Sequence, residues 1–91
     1  MDHDTTDIEA LGRKIAESAM RTFAKLCPEA CQASDHQLEV ALHALRAETD
    51  PAVDEMIQDM KDAPHMANYA YANAVMRLAQ AGAKAFRAAA H

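Results

Sequence analysis

Residues 68–91 read "NYAYANAVMRLAQAGAKAFRAAAH", and the fold turns on how this stretch is taken. For a few residues the alternation in "ANYAYANAV" imitates a strand. Alanine is a strong helix former and a poor strand former, so the segment is predicted to be helical. On a helical wheel Asn73, Arg77, Gln80, Lys84, Arg87 and His91 fall in one arc about 80° wide. Tyr71, Val75, Leu78, Gly82 and Phe86 cluster opposite, with alanines on both flanks. A helix wetted along so narrow a strip is expected to be enclosed on most sides, in the centre of a bundle or at a subunit interface. Alanine and Gly82 let a neighbouring backbone approach, while the larger apolar side chains supply contact area.

Working backwards, the chain repeats this logic. "SDHQ" offers Ser34 as a helix cap with Gln37 three residues on, and "TDIE" offers Thr6 with Glu9 in the same relation. Ile8, Leu11, Ile15, Ala19, Phe23 and Leu26 recur at steps of three and four, as do Leu38, Ala41, Leu42 and Leu45. Val53, Met56, Ile57 and Met60 form a shorter stripe, and Pro28, Pro51 and Pro64 mark breaks. In "TDPAV", Asp50 suits a helix cap and Pro51 the first helical position. The reading is an all-α, irregular four-helix bundle in one domain spanning residues 1–91, with helices at about 7–26, 35–48, 51–62 and 65–89.

Composition limits what such a bundle can do alone. Of the 91 residues, 22 are alanine, two are Phe, two are Tyr and none is Trp. A core short of large side chains gains area from close helix approach and is helped by a partner. A homodimer is therefore expected, using Tyr71, Val75, Leu78, Gly82 and Phe86. The formal net charge of −5 is uneven: residues 29–62 carry nine acids and two bases, whereas residues 63–91 carry three bases and no acid. These two regions can attract one another within a chain or between chains.

Chemistry is sparse. "CPEAC" places Cys27 and Cys31 four residues apart, where two thiols on one helix face could bind a soft metal such as zinc or be oxidised together. Two thiolates do not complete a tetrahedral site, so His36 or His43 would have to join them. Buried, inert thiols are the simpler expectation. His36, Glu39 and His43 share a helix but lack the repeated Glu-x-x-His pattern of a diiron bundle, and no HExxH is present. Ser34 is accounted for as a cap, and Ser18 is expected on the polar side of the first helix. No serine–histidine–carboxylate spacing and no phosphate-cradling glycine loop can be read. No catalytic residues, enzymatic activity or cofactor are expected.

Nucleic-acid binding is disfavoured, because three aligned bases grip phosphate weakly and "AVDEMIQDMKD" would repel it. Arg77, Lys84 and Arg87 also interrupt the best candidate for a membrane span. The opening "MDHDTTDIE" is acidic where a secretory leader would be basic, and two cysteines suit a reducing compartment, so the cytoplasm is expected. The functional expectation is a small adaptor, inhibitor or regulator that binds another protein stoichiometrically. Its acidic face, formed by Glu39, Glu48, Asp54, Glu55 and Asp59, would meet a basic surface. The alternative is a metal-responsive or redox-responsive bundle built on Cys27 and Cys31 with a nearby histidine.

Overall fold

The structure, a computed structural model, describes residues 5–89. It is all-α across those residues. Helix α1 spans Thr5–Leu26, α2 Asp35–Ala47, α3 Thr49–Asp62 and α4 Ala67–Ala89; short 3-10 turns at Pro28–Gln32 and Pro64–Met66 connect them. The number of packing units differs from the sequence expectation. Helices α2 and α3 are separated only by Glu48, whose backbone is itself near-helical at φ −86° and ψ −3°. The chain does not reverse at "TDP". Pro51 lacks an N–H, and its ring crowds the carbonyl four residues earlier, at Ala47, where α2 stops. A kink results, and the helix resumes. Three rods therefore pack rather than four.

Their directions follow from the contacts along α4. Ala41 and Leu45 of α2 lie against Gly82, Glu48 reaches Arg77, and Asp59 and Asp62 of α3 border Tyr69 and Asn73. The kinked rod thus descends α4 antiparallel. Helix α1 runs parallel to α4: Ser18 bonds Tyr71, Phe23 meets Phe86, and Leu26 meets Arg87. An up–down–up arrangement results.

Local signals explain the ends. Ser34 accepts from the Gln37 N–H at 3.2 Å while its own N–H donates to the Gln37 side chain at 3.4 Å, a capping box that starts α2. At the other site α1 has already begun at Thr5, so Thr6 lies within the helix rather than ahead of it; its side chain is outside the described residues. Helix α3 likewise starts earlier than "TDP" suggested, with Pro51 in its first turn, where the missing N–H is no loss. Pro28 and Pro64 each open a 3-10 turn.

The core lies where α1 and the kinked α2–α3 rod meet α4. Ile15, Leu45, Met56, Leu78 and Cys27 are fully enclosed, and seven of the sixteen buried apolar residues are alanines, so the helices pack close. Gly82 marks a close approach. A Cβ there would sit 3.4 Å from the Ala41 carbonyl oxygen, 3.4 Å from Phe23 Cδ1 and 3.5 Å from Leu45 Cβ. Phe23 and Phe86 pack edge to face, with centroids 6.0 Å apart at 71°. Ile8 and Met60, both assigned to apolar stripes by their spacing, are exposed. Ile8 lies one turn beyond Gly12, in an open groove between α1 and α3.

Candidate functional site

The inner face of α4 is the one the sequence proposed as a subunit interface. Val75, Leu78, Gly82 and Phe86 are buried inside the chain itself. Tyr71 is half-buried and held by Ser18, with the two hydroxyls 3.1 Å apart. Val75, Leu78, Gly82 and Phe86 are thus covered by the chain's own helices, and Tyr71 alone of the five keeps part of its surface open. Ser18 accordingly sits at a helix contact rather than on an open polar side.

The acidic surface is also partly spent internally. Arg77 donates to Glu48 at 2.9 Å and to Glu55 at 3.1 Å. The hydrogen bond to Glu48, first among the causes, holds the Arg77 guanidinium above its ordinary pKa. Arg87 donates to the Leu26 carbonyl at 2.9 Å, satisfying an orphan acceptor at the end of α1, and approaches Glu29 at 3.5 Å. The opposite charges of the middle segment and the last helix thus meet within one chain. Glu48 and Glu55 of the expected acidic face are paired with Arg77, Glu55 at the exposed surface; Glu39, Asp54 and Asp59 are exposed as well.

The four proposed metal ligands are not gathered. Cys27 is fully buried while Cys31 is exposed, and both are free thiols. The 3-10 turn beginning at Pro28 breaks the helical register that would have aligned them. Burial pushes the Cys27 thiol up, against the pull of Arg87, and Glu29 acts in the same direction as burial. His36 and His43 are exposed on α2. Among the described residues no group of three or more His, Cys, Asp or Glu is placed to hold a metal ion. His3 and His91 lie outside the described residues.

What remains open is the outer face of α4. Tyr69, Asn73, Met76, Gln80, Lys84 and Arg87 recur at steps of three and four, and all are exposed. Tyr69 is 66% exposed, Met76 40%, and Met66, in the turn just before α4, 41%. At the N-terminal end a groove of about 300 Å³ runs between α3 and α4, with Met66 and Tyr69 as apolar lining and Asp59 and Asp62 from α3. At the C-terminal end a second groove of about 710 Å³ includes Leu26, Ala83, Lys84 and Arg87. One face therefore has an acidic end, a Met76 centre and a basic end.

The sequence reading assigned neither Tyr69 nor Met66 to a core or a site. A usable signal was present. Tyr69 and Tyr71 are two residues apart, about 200° around a helix, so they cannot share a face. Comparison with protein-family models, with curated proteins and with solved structures finds no match. Among the described residues no helix is long and apolar enough to cross a membrane.

Proposed function

We propose that this protein is a small, non-catalytic interaction module whose working surface is the groove between α3 and α4. The observation that carries the reading is Tyr69. In a chain whose phenylalanines are buried and whose other tyrosine is tied into a helix contact, this aromatic stands 66% exposed beside Met66, Asp59 and Asp62. Exposed Tyr and Met flanked by acids suit a partner that presents an apolar side chain among Lys or Arg residues. The apolar pair would supply most of the affinity, and the aspartates would set approach and orientation.

The test is a titration of the ¹⁵N-labelled protein with two synthetic amphipathic helical peptides. One carries Lys and Arg around a leucine stripe, and the other carries Glu in their place. The basic peptide is expected to shift the amides of Met66, Tyr69 and Asn73, less so as salt is raised, while the acidic peptide leaves them unmoved. Equal responses to both peptides, or none to either, would contradict the reading.

A further inference from the structure

We infer that the basic, apolar partner of this groove is a second copy of the same chain, paired antiparallel along the outer face of α4. The inference rests on the groove's role as a binding surface, and names its occupant from the other end of the same helix.

The face is self-complementary in register. Place a two-fold axis between Met76 and Arg77, so that each α4 runs against its copy. Tyr69 then falls opposite Lys84 of the second copy, Asn73 opposite Gln80, and Met66 opposite Arg87. Each pair arises twice, as a closed two-fold interface requires. The acidic groove bordered by Asp59 and Asp62 thus receives the Lys84 and Arg87 end of the other copy, and donates its own basic end in return. Tyr69 and Met66 gain aliphatic stems and cations to cover them. Two amides, Asn73 and Gln80, face each other and can exchange hydrogen bonds.

The centre of the face permits this. Arg77 adjoins the axis, where two arginines would repel. It is drawn sideways by Glu48 and Glu55, at 2.9 and 3.1 Å, which leaves Met76 as the outward residue on the axis. The internal ion pairs clear the dyad of charge.

Size sets the strength. Helix α4, at 23 residues, is about 35 Å long. A strip of that length with rims from α3 reaches only the lower range of stable interfaces, roughly 1,200 Å² in total. The dimer is accordingly weak and salt-sensitive, since its ion pairs are exposed.

Sedimentation equilibrium decides the matter. The wild-type chain is expected to shift from its 9.9 kDa monomer towards twice that mass as concentration rises, and to return to monomer in high salt. Lys84→Glu cancels the net positive charge of the basic end, leaving Arg87 beside an acid, and Asp59→Lys with Asp62→Lys makes both ends basic. Each variant alone should self-associate at least tenfold more weakly, with helical circular dichroism unchanged. Mixed one to one, the two should form a heterodimer. As a second readout, Met76→Cys in a Cys31→Ser background should be joined to its copy by a short bismaleimide, whereas Glu17→Cys in that background should not. A wild-type chain that stays monomeric at every concentration and salt overturns the inference. So does a dimer that the charge variants leave intact, or variants that fail to pair when mixed. A monomer whose Tyr69 amide still responds to the basic peptide defeats only the self-pairing. A monomer with no peptide response defeats the binding surface as well.

Discussion

Both sides of α4 carry an aromatic and a large aliphatic or sulfur side chain, with opposite fates. On the inside, Val75, Leu78 and Phe86 are enclosed and Gly82 admits the α2 backbone. On the outside, Tyr69 and Met76 remain in water beside Lys84 and Arg87. The difference shows that apolar content alone does not place a residue in this core. Position around the helix does. Alanines make the inner side close-packed, so it tolerates little change, whereas the outer side is free to vary without unfolding the chain.

The largest effect should come from breaking the inner side. Leu78→Asp puts an unpaired carboxylate where the leucine is 0% exposed, at a cost above roughly 4 kcal/mol, a large share of the stability of so small a domain. Urea denaturation should find the variant largely unfolded in buffer. A cooperative transition near the wild-type midpoint would mean that the inner side is looser than described.

Gly82 sharpens the same point. Gly82→Leu must displace the α2 backbone or Phe23, and should lose about 2–3 kcal/mol. Gly82→Ala adds one methyl at contact distance while gaining helix propensity, so its stability should stay within about 1 kcal/mol of wild type. Equal tolerance of both changes would show that the approach of α2 to α4 is not tight.

Cys27 and Cys31 carry the comparison to the end of α1. Iodoacetamide should modify exposed Cys31 readily and Cys27 only through global opening. Because the Cys27 thiol titrates higher folded than unfolded, the folded state holds its proton longer. Stability should be level below the ordinary thiol range, about pH 8.5, and fall as pH rises through the raised folded value. Cys27→Ala should remove that part of the slope. An identical slope in the variant would assign the decline to other groups.

The smallest effect belongs to the outer side. Tyr69→Ser should alter unfolding free energy by no more than about 0.5 kcal/mol, while abolishing the response to the basic peptide. A loss of stability comparable to that of a core residue would mean that Tyr69 packs rather than binds.

Much of the fold was legible because its signals are local. Ser34 and Gln37 mark the start of α2, and the apolar steps from Leu11 to Phe23 and from Val75 to Phe86 identify the packed faces. The number of packing units was not legible. Pro51 signals a break, but only the surroundings decide whether a helix breaks into a turn or kinks and continues, and here both halves find α4 to lie on. What covers the inner face of α4 was not legible for a related reason. The wheel of α4 identifies its apolar face without saying whether the same chain or another covers it. The pairing of Arg77 with Glu48 depends on residues 29 positions apart, a distance at which charge patterning gives sign and not partner.

The most direct test of this two-sided account is the methyl spectrum of the protein's six methionines. Labelled at the ε-carbon, the chain would be followed from dilute to concentrated solution at low salt. Exposed Met66, in the turn before α4, and Met76, on its outer face, should shift together with concentration, while enclosed Met56 does not move. Shifts at Met56 with Met66 and Met76 unchanged would place the interaction in the core side of the bundle and contradict it.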